Sequence, residues 1–300
     1  MRLKYRTGMG YVLLAMMIVA GTCSYAQKDK LKAEIETAIK GADGEVGIGI
    51  MDLSTKETLL FGRDHKFPMQ SIFKFPLAMA VLDQVDKGKL QLDQKIRITK
   101  QDLLPNTWSP LRVKYPEGNA DVTIAELLGY TVSQSDNNGC DILFRLVGGT
   151  RVVDSYIKKL GVKGIAIVAT EEEMARHWDV QYTNYCYPAA MLRLLEIFHE
   201  AKKLSRTSTE FLWKRMVETS TGPGRIKGLL PKDAIVGHKT GTSGTNEGLL
   251  AATNDVGIMQ LPNGKNIAVV IYISDTRMDE KNRDLVTAKV SRLVWDHYSK

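Results

Sequence analysis

Apolar positions change period along this chain, and the changes divide it. Over 30–39 they recur at four-residue steps, with Leu31, Ile35 and Ile39 on one helical face. Residues 45–51 and 57–61 then alternate like two strands joined by the polar turn Asp52-Leu53-Ser54-Thr55-Lys56. A helix is predicted from Ser71 to Val85, closing before Lys87-Gly88. Pro76 inside it has no N–H for the carbonyl of Ile72, which predicts a bend or a tightened first turn. From 99 to 211 the pattern is mainly helical, with helices predicted at 123–132, 138–147, 150–160 and 189–201. Gly148-Gly149-Thr150 reads as a helix stop followed by a start. The stretch between Leu160 and Ala189 is only weakly periodic, and connections of that length tend to be functional. Strands return at 235–239, 247–253 and 267–273, with a hairpin turn at Pro262-Asn263-Gly264, and 285–298 is a closing amphipathic helix.

Strands at both ends and helices between them predict an α+β fold, one antiparallel sheet with an all-helical insertion. The corresponding division is a sheet domain from 27–68 and 216–300 and a helical domain over 69–215.

Charge adds one correction to this picture. The formal net charge is +7, but Arg2, Lys4 and Arg6 supply three of those charges, so the balance without them is 7 − 3 = +4. So mild an excess gives a nucleic-acid reading little support. Those basic residues, the apolar run 11–20 and the small-x-small site Ser24-Tyr25-Ala26 read as an export signal cleaved after Ala26. Cys23 invites a lipoprotein reading, against which Thr22 is bulkier than the small residue usual before a lipidated cysteine. Cleavage would leave Cys140 and Cys186, too few for a disulfide framework. Neither has a zinc-ligand partner at the usual spacing, and the five histidines are scattered, so no metal is expected.

Four stretches carry candidate chemistry. Ser71 and Lys74 lie three apart at a helix start, a hydroxyl with an amine in reach, which suits a nucleophile and its proton acceptor. Taken singly, each of the other three has an ordinary structural explanation. Ser135-Asp136-Asn137 suits a helix N-cap. Lys239-Thr240-Gly241-Thr242 ends a strand, and Glu171-Glu172-Glu173 is a charge run of the kind that usually faces solvent.

Together and in this order, Ser-x-x-Lys, Ser-Asp-Asn and Lys-Thr-Gly form the signature of class A β-lactamases and penicillin-binding proteins. From about Lys30 to the last helix, the chain resembles a class A serine β-lactamase. Ser71-Ile72-Phe73-Lys74-Phe75-Pro76, Gln181-Tyr182-Thr183-Asn184 and His238-Lys239-Thr240-Gly241-Thr242-Ser243-Gly244 look like the branch common in Bacteroidetes, which includes broad-spectrum cephalosporinases. The resemblance implies a serine β-lactamase/DD-peptidase-like fold with the active site between sheet and helical domain. It implies that Ser71 attacks the lactam carbonyl and that Lys74 accepts or relays its proton, with Lys74 and Glu171 both candidates for the acylation base. Backbone N–H groups of Ser71 and Thr242 would form the oxyanion hole. Ser135 would protonate the departing nitrogen. Asn137 would bind the substrate's side-chain amide, and Lys239 and Thr240 its carboxylate. Arg225 is a second cation for that carboxylate or an exposed arginine near a turn, and Trp108 a wall of the site mouth or an ordinary half-buried aromatic. Ser243 beside Thr242 hints at room for bulky cephalosporins. Glu171 would activate the deacylating water, its place in the acidic run picked out by Met174 three residues on.

Two departures bear on that water. The family's usual asparagine four residues after this glutamate is Ala175, and its usual arginine two residues before is Ala169. Asn184 or Gln181 is a candidate replacement partner. The expected protein is thus a periplasmic, monomeric hydrolase of β-lactams without cofactor, nucleic-acid partner or stable membrane association, serving antibiotic resistance. A D-alanyl-D-alanine peptidase or transpeptidase shares the first three motifs and lacks the deacylating glutamate, whereas an acylated β-lactam sensor domain usually follows membrane helices, and here a cleavable signal is expected instead.

Overall fold

A computed structural model describes residues 27–300. The export segment expected at 1–26 lies outside the described residues. The chain falls into two compact units, one ending at Gly41 and one spanning Ala42–Lys300. In the first, helix α1 covers residues 27–39.

The second unit is built on an antiparallel sheet. Its strands are β1 (Glu45–Asp52), β2 (Thr58–Phe61), β8 (Ile235–Thr242), β9 (Thr245–Asn246), β10 (Leu249–Gln260) and β11 (Asn266–Thr276). Their order is β2-β1-β11-β10-β8, with β9 paired to β10. The run from Ile267 to Ser274 on β11 is buried without interruption, the pattern of a strand covered on both faces. Two helices supply the cover: α8 (Pro188–His199) packs on β1 and β11, and α10 (Glu280–Tyr298) on β10 and β11.

Between β2 and β8 the chain is largely helical, as the periodicity predicts. It holds α2 (Lys74–Asp86), α3 (Pro110–Lys114), α4 (Ile124–Ser133), α5 (Asn137–Val147), α6 (Thr150–Lys159), α7 (Glu171–Arg176), α8, and α9 (Arg206–Val217). Short strand pairs punctuate it: β3 (Phe67–Pro68) and β6 (Ile165–Ala166) both pair with β7 (Tyr185–Cys186), and β4 (Lys95–Ile98) pairs with β5 (Ala120–Thr123). The β4–β5 pair does not show in the sequence pattern. Every residue of α2 from Lys74 to Leu82 is buried, and α4, α5, α6 and α9 surround it. A helix apolar all round has to be central, and the one cation in that run is therefore carried into the core.

The helix predicted at 71–85 starts as a tight 3-10 turn over Gln70–Phe73 and becomes α-helical only at Lys74. This is the tightened first turn that Pro76 calls for. The weakly periodic stretch resolves into β6, the six residues of α7, a 3-10 segment over Trp178–Thr183, and β7. Among the described residues no helix is long and apolar enough to cross a membrane, and none of the His, Cys, Asp and Glu side chains cluster as a metal site. Cys140 and Cys186 are buried and unpaired, and burial pushes both thiols up.

Candidate active site

The 3-10 turn fixes the first pair. With three residues per turn, positions three apart eclipse, and Lys74 Nζ comes to 2.9 Å from Ser71 Oγ. The ammonium then meets three oxygens: Glu171 Oε1 at 2.8 Å, Ser135 O at 2.9 Å and Asn137 Oδ1 at 2.5 Å. With Ser71 Oγ, which also accepts from Nζ, four oxygens compete for the three protons of an ammonium. Ser71 Oγ in turn donates to Glu171 Oε1 at 3.2 Å. Serine and lysine, three residues apart, and a glutamate 100 residues on close a triangle around one hydroxyl.

Ser135-Asp136-Asn137 is a helix cap, as its composition suggests, and more than that. Asp136 caps α5 through Gly139 N and also accepts from Ser109 Oγ and Leu111 N, so its fully buried carboxylate ties the start of α5 to the start of α3. Burial pushes that carboxyl above its ordinary range even so. Ser135 stands just before the cap in left-handed backbone, at φ 58°. From the opposite side Lys239, on β8 and fully buried, donates to Ser135 Oγ at 2.8 Å and to Thr240 O at 2.9 Å. Burial first, and then the charge of Lys74, hold the Lys239 ammonium well below its usual range.

The three glutamates divide their work at the start of α7. Glu173 forms a capping box with Thr170, and Glu172 pairs with Arg176 at the surface. Glu171 turns inward beside buried Met174. What holds Glu171 is Asp141, whose two oxygens accept the backbone N–H groups of Glu171 and Glu172, each at 2.9 Å. Burial, and then the charge of Glu171, push the Asp141 carboxyl up to about 7. Sequence reasoning missed Asp141, although it lies four residues after Asn137 and so on the same face of α5.

The loop around Glu171 has no arginine brace at Ala169 and is fastened by amides instead. Asn184 accepts from Val168 N and Ala169 N at 2.7 and 2.9 Å and donates to Ala169 O at 2.8 Å. Both ends of that amide are thus committed to the loop base, which removes Asn184 as a partner for water near Glu171. Gln181 accepts from Gln70 Nε2 at 2.6 Å and donates to Trp178 O at 2.7 Å. It lines, with Glu171, Ser71, Ala175 and Thr242, an open cavity of about 380 Å³. A second cavity of about 240 Å³ adjoins it, sharing Thr107, Asn137, Glu171 and Ala175.

Of the other sequence candidates, Thr242 faces the cavity and accepts from Arg225 Nη2 at 2.7 Å. Arg225 is buried rather than exposed, and is held also by Asp284, Gly241 O and Asn254 O. Thr240 Oγ1 lies 2.5 Å from Thr221 Oγ1. Trp108 stands 60% exposed, its indole N–H on Gln134 O and its carbonyl on Asn137 N. Ser243 turns its hydroxyl onto Gly244 O and Ala252 N, within its own hairpin, and does not line the cavity.

This geometry has close company. The profile of the family described as "Beta-lactamase enzyme family" matches residues 30–298. The chain belongs to the class A serine β-lactamases. "Beta-lactamase VEB-1" of Pseudomonas aeruginosa is 44% identical over 96% of this chain and 97% of its own. "Extended-spectrum beta-lactamase PER-1" of the same organism is 42% identical over 90% and 88%. The crystal structure of a β-lactamase from Chitinophaga pinensis superposes with a TM-score of 0.86 at 55% identity, covering 90% of this chain and 98% of that one. As a class A β-lactamase the protein hydrolyses β-lactams, and the α+β fold expected from its terminal strands and inserted helices is that of the class.

Proposed function

We propose that this β-lactamase works through an ester on Ser71 that a Glu171-activated water removes, and that its substrates include cephalosporins with bulky side chains. Ser71 Oγ attacks the lactam carbonyl while its proton passes to Glu171 Oε1 or is relayed through Lys74, both within 3.2 Å. The oxyanion is held by the N–H groups of Ser71 and Thr242. As the C–N bond breaks, the nitrogen takes the Ser135 hydroxyl proton, Lys239, hydrogen-bonded to that oxygen, stabilises the charge left behind, and the proton taken from Ser71 then returns to Ser135, which leaves Glu171 ionised for the second half. In the second half Glu171 takes a proton from water, hydroxide adds to the ester, and Oγ leaves and is reprotonated. Lys239, Thr240 and Thr242 serve the substrate carboxylate, with buried Arg225 acting on it only through its hydrogen bond to Thr242 Oγ1, and Asn137 and Trp108 serve the side-chain end. The helical residues 69–215 and the sheet strands on either side of them act as the two walls of the site.

The observation that carries this reading is the Glu171 carboxylate lying against both Ser71 Oγ and Lys74 Nζ. A peptidase or sensor built to stay acylated has no use for it. The adjoining cavity beside Ala175 supports the bulky-substrate reading, as does the extended-spectrum description of one relative. The segment 1–26 supports export to the periplasm and a role in antibiotic resistance. Mixing purified protein with a chromogenic cephalosporin while following ring opening and protein mass tests the proposal. Sustained turnover with little adduct is expected. One equivalent of ring opening followed by a stable mass increase on Ser71 would overturn it.

A further inference from the structure

The oxyanion donors proposed above come from parts of the fold that share no local backbone. Ser71 lies on the segment leaving β3, and Thr242 at the end of β8. Preorganised donors have to be held within about 0.5 Å of the productive geometry, so something must fix the distance between them. The residue that spans the gap is Asn254. It lies on β10 directly across from Gly241, the residue before Thr242. Its side chain, 1% exposed, crosses to the other part: Nδ2 donates to Pro68 O at 2.8 Å and Met69 O at 3.0 Å. Both protons of the amide are thus committed to successive carbonyls of the segment that delivers Ser71.

Three further observations say that this junction is under constraint. Gln70, between the gripped carbonyls and Ser71, has left-handed backbone at φ 47°. Such residues cost about 1–3 kcal/mol and persist only where their surroundings hold them. Gly241 lets the strand lie flush on this segment, since a Cβ there would sit 2.7 Å from Met69 O and 3.1 Å from Ser71 N. Finally, Asn254 Oδ1 is buried without a hydrogen-bond partner. An unpaired buried acceptor costs about 1–3 kcal/mol, which a residue serving packing alone would avoid. An amide is the side chain that offers two protons to two neighbouring carbonyls.

We propose that Asn254 is the positioning residue of the oxyanion hole, setting the Ser71 N–H against the Thr242 N–H by clamping Pro68 and Met69 to the sheet. The inference rests on the acyl-enzyme reading, and it predicts a kinetic signature that loss of stability does not imitate. Both half-reactions pass through a tetrahedral oxyanion, so both should slow together, while ground-state binding of substrate should not change.

The test uses the full chain with Asn254→Leu, which keeps the volume and removes both donors. Active sites are counted by the first-turnover burst, so that misfolded protein does not enter the rates. Acylation and deacylation per counted site should each fall tenfold or more with a chromogenic cephalosporin. The dissociation constant of the same compound, measured in the Ser71→Ala background with and without Asn254→Leu, should stay within twofold. Asn254→Ser is read in the same way should the leucine variant not fold. Unchanged rates per site, or a fall in only one half-reaction, would overturn the role of Asn254 and leave the acyl-enzyme reading standing. Absence of turnover in the unmutated protein would instead remove that reading, and this inference with it.

Discussion

Two regions meet at Ser71 and are held together by different means. On one side stand α2, the turn before α5, and β8. Lys74 and Lys239 are fully buried there, the first on a helix inside the core and the second on the last strand of the sheet. On the other side is the segment from β6 to β7, which carries Glu171 on a six-residue helix. Its fastenings are side-chain hydrogen bonds: Asp141 on the start of α7, Asn184 on the loop base, and Gln181 on Gln70. Each such bond contributes about 0.5–1.5 kcal/mol net, whereas the first region cannot shift without unpacking a helix that is buried all round. The groups proposed for acylation therefore belong to the core, and the group proposed for deacylation to a tethered loop. Damage to the first should stop chemistry, and damage to the second should stop it halfway.

The largest effect comes from the core side. Ser71→Ala removes the atom on which both half-reactions depend, and turnover should fall by about 10⁴-fold or more, leaving only what the remaining donors and binding supply. Hydrolysis of a chromogenic cephalosporin measures it, and near-normal turnover would mean that the nucleophile lies elsewhere.

A smaller effect separates the two regions. Gln181→Ala strips a partner from Gln70 Nε2 and from Trp178 O. A stability loss of about 1–3 kcal/mol is expected, with deacylation slowed severalfold more than acylation. Pre-steady-state kinetics reads the split. Equal slowing of both steps would say that this tether serves the nucleophile as much as the loop.

The third effect concerns pH and leaves the chemistry in place. The folded Asp141 carboxyl titrates near 7, above its ordinary 3.8, so in the folded state the ionised form is the disfavoured one. Between those two values the folded protein binds more protons than the unfolded chain, and stability from this group falls as pH rises. Asp141→Asn removes that dependence while keeping one acceptor for the α7 amides. Its stability relative to the unmutated protein should therefore climb from pH 4 to pH 8, by at most about 1.4 kcal/mol per pH unit inside the window. Urea melts across that range check it, and parallel curves would contradict the assignment.

The same contrast explains what the sequence could reveal. The core side was legible because its residues sit at short, fixed spacings on regular elements: Ser71 to Lys74 on one turn, Ser135 to Asn137 at a cap, Lys239 to Thr242 along a strand. Pro76 even announced the tightened turn that brings Ser71 over Lys74. Glu171 was legible only through the residue pattern around it, as the inward member of an acidic run. Its supports were not, nor was the clamp on the Ser71 segment, because Asp141, Gln181 and Asn254 reach across 30, 111 and 186 positions to Glu171, Gln70 and Pro68, and no local period records such pairings. Asn184 was weighed as a water partner. Its place between the loop base and Met69 follows from where two distant backbones pass, which alternation and helical spacing do not encode. The β4–β5 pair escaped for a related reason: four-residue strands with exposed positions leave little alternation to detect.

The division of labour itself is tested most directly by Glu171→Gln, followed by mass spectrometry after rapid mixing with a cephalosporin. The carboxylate is lost while the shape and a hydrogen-bonding oxygen remain, so acylation should proceed and one equivalent of ring-opened product should stay on Ser71. Deacylation should fall by about 10²–10⁴-fold, the range expected for removal of a general base. Continued turnover without a lasting adduct would contradict the assignment of deacylation to the loop, and failure of the variant to acylate at all would contradict the division of labour by making Glu171 the acylation base as well.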